Sequence, residues 1–359
     1  MSWSIYPGGL ISTEYRDVWR QANQRYTHSH PLLDSNFVAP LYKHFGGDNV
    51  FLAVKKESQD VIAMALLEKL GKGMWQLFLP SQAQIGPVIF GSGSSIDSSN
   101  PLGDLVRSLP GYAWLIGILN QDPDHPGIPV SPDSKHMERL EHVKTINLSI
   151  AGNFADYWQA RDNSLTANTE RRFRKLGREG FTHVLVELRD YRDMAAAVAE
   201  HGRLESTGWK EKLGTAIHPD NIQGRFYIEV LENFSKVDGA RVYQLHFNNK
   251  VVASRLAIIQ NQMLVFLKKT YDESFSTYAP GRMLDYKIFE RFFTEKEIKK
   301  VEYYTNATTE DSKWSTGARH IYHINYYRSP LLKRATMTAR KLRGASKKRT
   351  SPEHPSPAT

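Results

Sequence analysis

The chain has 359 residues and a mass of 41.0 kDa, about two domains at roughly 150 residues each. Its 40% apolar and 24% charged residues suit a packed core, and no apolar run reaches the roughly 18–20 residues of a membrane span, which excludes an integral membrane protein. It has no cysteine, which excludes disulfides, thiolate zinc sites and a cysteine nucleophile; of its net charge of +9, the nine Lys and Arg from Arg328 onward, against Glu353 alone, carry +8.

The N-terminus, Met1-Ser2-Trp3-Ser4-Ile5-Tyr6, has no basic n-region and no apolar h-region. With the absence of cysteine, this leads us to expect a cytoplasmic protein without a secretory signal. Residues 35–45 read as a helix, followed by a meander of Val50 to Lys55, Val61 to Leu67 and Met74 to Leu79. Its turns are Glu57-Ser58-Gln59-Asp60 and Gly71-Lys72-Gly73, the usual punctuation between alternating strands. Gly91 to Ser95 reads as a flexible loop before a helix at Pro101 to Ser108, and the proline-punctuated stretch 118–138 reads as loop. His28 and His30 lie two apart in a polar loop without a carboxylate pair, too few ligands for zinc, and we expect no metal.

Residues 154–180 read as one long helix. Phe154, Tyr157 and Trp158 give it an apolar stripe, Arg171, Arg172, Arg174, Lys175 and Arg178 a solvated basic face, and Gly180 a stop. A second helix, near 220–235, precedes a second meander of Arg241 to Phe247, Val251 to Gln260 and Met263 to Lys269. Two copies of one helix–meander unit account for this repeat. The boundaries expected are 1–150, 151–328 and a basic tail at 329–359, helical to about 345 and disordered beyond. Such a tail reads first as a solvated segment that aids solubility, and second as a basic, weakly amphipathic contact with an anionic membrane surface or a polyanion.

Most catalytic signatures are missing: there is no phosphate loop, no G-x-S-x-G elbow and no H-E-x-x-H. The informative stretch is 263–293, a strand, a loop and an amphipathic helix joined by Pro280-Gly281. A helix entered through glycine offers unpaired N–H groups and the positive end of its dipole, a generic way to hold a pyrophosphate.

Its neighbours carry a resemblance. In order come Phe154-x-x-Tyr157-Trp158-x-x-Arg161, the Arg-rich run ending in Lys175-Leu176, Glu205-Ser206-Thr207-Gly208-Trp209-Lys210 and Gly214-Thr215-Ala216-Ile217. Tyr271-Asp272-Glu273, Tyr278-x-Pro280-Gly281-x-x-Leu284 and Lys313-Trp314, which follows a strand at Val301 to Tyr304, complete the set. Together these resemble the cellulose-biosynthesis-type acetyltransferase-like family of the GNAT superfamily, which is related to the FemAB-like transferases and often found with exopolysaccharide genes. The resemblance covers about 150–328 and, more loosely through Ile85-Gly86-Pro87, the N-terminal half. Two departures stand out: Tyr278-Ala279-Pro280-Gly281-Arg282-Met283 replaces the usual Q/R-x-x-G-x-G/A loop, and no spacer separates Lys313 from Trp314.

The resemblance implies an α/β protein of tandem GNAT-like folds, each a mixed, mostly antiparallel sheet flanked by helices. It implies acetyl-CoA or another acyl-CoA as co-substrate of the C-terminal copy, held near Tyr278, Pro280, Gly281, Arg282 and Met283. Asp272 and Glu273 are then acid/base candidates and Tyr304, or Tyr278, the acid for the thiolate, while Glu205, Trp209 and Lys313 are candidates for the acceptor. The acceptor expected is an amine of an amino sugar or of a lipid-linked envelope or exopolysaccharide precursor. The alternatives are a FemAB-like transferase using aminoacyl-tRNA, against which the near-neutral body counts, and a non-catalytic assembly module of a polysaccharide synthase.

Overall fold

A computed structural model describes residues 2–91, 100–125, 134–206 and 217–349, with side chains to residue 340. The chain begins with β1 (Trp3–Pro7), α1 (Arg16–Tyr26) and α2 (Ser35–Phe45), the last capped by Asp34, whose carboxylate accepts from Asn36 N at 2.7 Å. The first meander follows as β2 (Val50–Glu57), β3 (Asp60–Gly71) and β4 (Met74–Leu77), then β5 (Val88–Phe90), α3 (Pro101–Ser108), β6 (Leu115–Gln121) and β7 (Met137–Ser149). Two helices lie where one was expected: α4 (Phe154–Gln159) and α5 (Asn163–Arg178). The break has a chemical cause, because Asp162 caps α5 and a cap residue sits outside the helical conformation.

The second half runs β8 (His183–Leu188), α6 (Tyr191–Ser206), α7 (Ile222–Ser235), then the second meander β9 (Ala240–Phe247), β10 (Lys250–Gln260) and β11 (Met263–Tyr271). It closes with α8 (Pro280–Glu295), β12 (Lys300–Glu302), α9 (Thr309–Ser312), β13 (Gly317–Tyr327) and α10 (Pro330–Arg349). Helix α10 runs to Arg349, four residues past the helical limit expected at 345; residues 92–99 and 350–359, where a loop and a disordered end were expected, lie outside the described residues.

All strands belong to one sheet in the order β1-β2-β3-β4-β6-β13-β7-β12-β11-β10-β9-β8, with β5 pairing β3. Read inward from either end, the two halves repeat. Three antiparallel pairings (β1-β2-β3-β4 and β8-β9-β10-β11) lead to one parallel pairing (β4-β6 and β11-β12) and a further antiparallel one. The last strand of each set comes from the opposite half of the sequence: β13 pairs β6, β7 pairs β12, and β7 and β13 pair along Met137–Asn147 and Gly317–Tyr326. The protein is thus a mixed α/β fold built as two similar units on a continuous sheet.

Three cores fix the layers. On one face α1, α2, α6 and α7 from both halves share a core that includes Trp19, Phe37, Phe226, Leu256, Leu267 and Tyr304. The opposite face carries α3 over the N-terminal strands, with Leu102, Leu105 and Ile118, and α4, α5 and α8 over the C-terminal strands. The resemblance motifs build this last layer: the Tyr157 hydroxyl donates to the Trp314 carbonyl at 2.7 Å, and Trp158 and Phe289 pack on Trp314 at 5.6 and 5.5 Å. Among the described residues no helix is long and apolar enough to cross a membrane.

Candidate active site

The C-terminal unit opens where its parallel strands part. β11 pairs β12 only over Met263–Val265 and Lys300–Glu302, while β11 runs on to Tyr271. Just beyond that pairing the β10–β11 register slips: Ala257 faces Phe266 and Leu256 faces Lys268, so Leu267 is an extra residue. Such a bulge leaves its peptide out of the ladder and bends the strand. Leu267 and Tyr304 belong to the core of the α1, α2, α6 and α7 face, and Phe266 and Tyr303 to the core beneath α8. From the N-terminal half Gln84 reaches across, its amide donating to the Phe266 carbonyl at 3.0 Å.

Helix α8 begins at the parted end. Its N-cap, Ala279, takes a left-handed conformation (φ 52°) and gives no side-chain cap, so no side chain covers the first-turn N–H groups. A Cβ at Gly281 would meet only Tyr271 Cδ1, at 3.4 Å, and its φ is not left-handed. Neither backbone nor packing requires this glycine, whereas close approach of a ligand to the backbone would. Arg282 pairs with Glu310 at 3.1 Å, and Lys313 meets the same carboxylate at 2.5 Å and Ser164 Oγ at 3.0 Å. The structure therefore brings Lys313 beside Arg282 at the α8 entrance. Pro280 and Met283 are buried under the helix, and Tyr278 is a packing residue: its ring lies against Phe181 and Phe247, its hydroxyl bonds to Glu179 and Lys175 sits 4.8 Å over its ring. A buried lock holds α8 to the sheet. Arg255 stacks on Phe266 at 3.4 Å and pairs with Asp285, which also meets Lys269 at 2.9 Å. Burial pushes the Asp285 carboxyl up, but the two cations together outweigh it and hold the pKa below the ordinary value.

Across the opening lies a polar cluster that joins the halves. Tyr304, left-handed at φ 49°, is buried just past β12. Such an outlier in a bulky residue persists only where its surroundings hold it. His30 Nδ1 accepts from Leu32 N at 3.2 Å, which puts the proton on Nε2; Nε2 donates to the Tyr304 oxygen at 2.9 Å, and the Tyr304 hydroxyl donates to Asp122 at 2.7 Å. Arg319 Nε donates to Asp122 at 2.6 Å, and Arg319 and Lys300 lie 3.0 and 2.7 Å from Glu302. His125 is edge-on to His30, ring centroids 4.3 Å apart. Burial pushes Tyr304 well up and His30 well down, and lowers His125 to about 4. Burial also pushes the Asp122 carboxyl up, but Arg319 and the other donors prevail and leave it at about 2; Glu302 is raised, chiefly by burial.

Of the other expected site residues, Asp272 is buried as a cap, accepting from Ser274 N at 3.0 Å and pairing with Lys250 at 2.8 Å. Burial raises its carboxyl, and Lys250 and Ser274 more than reverse this, so it is held ionised rather than poised as an acid. Glu273 is exposed beside it. Glu205 is fully buried, accepts from Ile217 N at 2.9 Å and lies 3.8 Å from His201, whose other nitrogen meets Ser254 Oγ at 3.0 Å. Trp209, with 207–216, lies outside the described residues. Asp122, His125, Glu302 and Arg319 escaped the sequence reading. Asp122 and His125 sit in the stretch 118–138 read as loop, although Leu115–Gln121 there is β6, and no spacing links them to Tyr304. Among the described residues no group of His, Asp and Glu is placed to hold a metal ion.

The equivalent helix start of the N-terminal unit is capped, the Asn100 side chain accepting from Gly103 N at 2.9 Å. A Cβ at Gly103, in the first turn of α3, would come within 2.6 Å of the Tyr326 hydroxyl and of the Asn100 amide, and the Trp3 indole donates to the Pro101 carbonyl at 3.0 Å.

Comparison with known proteins bears on the fold. Residues 163–312 match the family model of the acetyltransferase (GNAT) domain. None of the curated proteins matches the chain. Among solved structures, a C-terminal domain ascribed to a lysylphosphatidylglycerol synthetase of Agrobacterium fabrum aligns over 91% of this chain and 95% of its own, at 9% identity and a TM-score of 0.55. L-PGS from Bacillus licheniformis aligns over 88% and 92% at 9% identity (TM-score 0.53), and FemX over 82% and 92% at 10% identity (TM-score 0.51). At these identities the likeness is one of fold.

Proposed function

We propose that the protein is an acyl-CoA-dependent N-acyltransferase whose single site is the opening between β11 and β12. The observation that carries this reading is the conjunction, at one end of a parallel strand pair, of the Leu267 bulge and the uncapped α8 start with its unrequired glycine. The acyl-CoA would supply an activated thioester carbonyl. The first turn of α8 at Gly281, with Arg282 beside it, suits its pyrophosphate. The bulge at Leu267 frees a peptide N–H for the carbonyl oxygen as charge develops there. An acceptor amine attacks that carbonyl, a C–N bond replaces the C–S bond, and one proton must leave nitrogen while the departing sulfur takes one. Tyr304, kept protonated by burial, is the group suited to give that proton and, as tyrosinate, to take the one the nitrogen loses, which closes the proton path, while His30 Nε2 and Asp122 hold its oxygen in place. Asp272 and Glu273 have no part in this scheme, Lys313 lies with Arg282 at the pyrophosphate end, and Glu205 remains the acceptor-side candidate. The acceptor class we favour is an amine of an amino sugar or envelope polysaccharide precursor.

Calorimetric titration with acetyl-CoA and longer acyl-CoAs, on the wild type and on Gly281→Glu, tests the reading. A Cβ at 281 would meet only Tyr271 Cδ1, at 3.4 Å, and because the position is buried, circular dichroism and a thermal melt check that the variant is folded. Stoichiometric binding by the wild type, lost in the variant, is the expected result. Absence of binding by any acyl-CoA would overturn the reading. The fold shared with FemX and L-PGS would then favour a donor linked to tRNA.

A further inference from the structure

The N-terminal ends of β4 and β6 build a surface that the scheme above does not use. Three stretches of chain meet there: the β3–β4 turn Gly71-Lys72-Gly73, residues 112–114 before β6, and Arg328, which leads from β13 into α10. The Trp114 indole donates to the Lys72 carbonyl at 2.7 Å, the Trp114 carbonyl accepts from Arg328 N at 2.9 Å, and the Arg328 guanidinium lies 4.7 Å over the Tyr112 ring. Large apolar side chains stand out from this junction: Leu70 is 49% exposed, Tyr112 65% and Leu331 72%. One such residue on a surface is ordinary, but three gathered from distant parts of the sequence call for a partner.

The same junction is basic. Residues 69–73, 110–114 and 328–340 hold six Lys and Arg and no Asp or Glu. Arg340 is paired with Glu138 at 3.0 Å, whereas Lys72, Arg328 and Arg334 have no acidic partner among the described residues. Lys72 is exposed at the tip of its turn with φ 52°, a left-handed conformation that asparagine or glycine adopts more readily. Helix α10 then runs on to Arg349, with eight Lys and Arg and no acid in its 20 residues. A basic helix by itself reads as solvated; here it starts from an aromatic and apolar junction.

We propose that this junction and α10 rest on the headgroups of an anionic phospholipid bilayer. Lys and Arg pair with lipid phosphates, the amphipathic rings of Tyr112 and Trp114 suit the headgroup level, and Leu70 and Leu331 suit the boundary of the acyl chains. A nucleic acid offers the same negative charge but no apolar phase for two leucines, and a second copy of this chain would set like charge against like. Strand β6 runs from this junction at Leu115 to Gln121, next to Asp122 of the polar cluster, about 20 Å along a strand. The bilayer would hold the candidate active site near its surface without taking part in it, and the inference does not depend on the function proposed above.

The test is co-sedimentation of the full chain with vesicles of phosphatidylcholine alone and of phosphatidylcholine with an equal part of phosphatidylglycerol. The wild type should pellet with the anionic vesicles only, and less of it as salt rises. Lys72→Asn/Arg334→Gln removes two exposed cations and should weaken partitioning about thirtyfold. Leu70→Ser/Leu331→Ser keeps the charge and should still weaken it about tenfold. A thermal melt checks that each variant is folded. Failure to bind anionic vesicles, or equal binding to both kinds, overturns the proposal. Anionic binding that the leucine variant retains in full, and that tRNA displaces, would overturn it in favour of a nucleic acid backbone. Self-association of the free protein that the leucine variant abolishes would overturn it in favour of a second copy of the chain.

Discussion

The residues that matter most are those whose ionisation the fold has moved. His125 and its neighbours show how a cluster of this kind ties stability to pH. It faces Asp122, Asp124, Lys300, Arg319 and the His30 ring, with Tyr304 and Glu302 behind, and burial holds it neutral to about pH 4. A histidine whose folded pKa lies below its unfolded value stabilises the fold fully above about pH 6.5 and loses that contribution as pH falls toward 4, because only the unfolded chain then gains a proton. A depression from 6.5 to about 4 corresponds to up to about 3 kcal/mol. Asp122, held at about 2, loses its own contribution lower still, between about pH 4 and 2, while the raised Glu302 works in the opposite sense, favouring the folded state when protonated. The melting temperature should therefore fall between pH 6.5 and 4.5, before most carboxylates titrate. His125→Asn should flatten that fall, leaving the part due to His30. A profile that is flat in the wild type over this range would show that these histidines titrate normally in the folded protein.

At the scale of elements, the Leu267 bulge makes a sharp prediction because of how it sits in its ladder. Lys268 to Tyr271 pair with Leu256 back to Ala253, and Met263 to Phe266 pair with Gln260 back to Ala257. Deleting Leu267 joins two segments that already alternate correctly, so every other β11 side chain keeps its face. The cost is one buried leucine, roughly 2 kcal/mol. The deletion should leave a folded protein that still binds acyl-CoA but turns over about 10²–10³-fold more slowly, the scale of one lost oxyanion donor. Unchanged kcat in the deletion variant, measured by initial rates once an acceptor is known, would remove the bulge from the mechanism. The bulge itself was not legible in the sequence, since Phe266-Leu267-Lys268 reads as ordinary strand; a one-residue slip shows only against the partner's register. The meanders, α2 and α3 were legible, because alternating runs, polar turns and caps are local signals, and so was the α8 entrance through Pro280-Gly281. The His30–Tyr304–Asp122 chain was not: its members are up to 274 residues apart, and only sheet topology brings them together.

Topology also governs the whole molecule. A sequence division at residue 150 leaves β7 with the N-terminal half and β13 with the C-terminal half, yet each strand completes the other unit's sheet. A fragment of residues 151–328 would lack the strand that covers β12 and would carry β13 without its partners β6 and β7, leaving two unpaired edges of the kind that aggregate. A fragment of residues 134–316 includes β7 and omits β13, so it holds the full β7-β12-β11-β10-β9-β8 set with α8. Of the two, 134–316 should be the more soluble and give the better dispersed amide spectrum. It would nonetheless be weaker than the full chain, because the core beneath α1, α2, α6 and α7 spans both halves. The intact protein should accordingly unfold in one calorimetric transition, its van't Hoff and calorimetric enthalpies agreeing. Two resolved transitions, or a well-dispersed 151–328 fragment, would mean that each half folds with its own last strand. The continuous sheet would then be a docking of two domains rather than an exchange between them. The exchange also bears on the site, because Asp122 and His30 come from one half and Tyr304 from the other. A cooperative fold keeps the proposed proton path intact whenever the protein is folded at all.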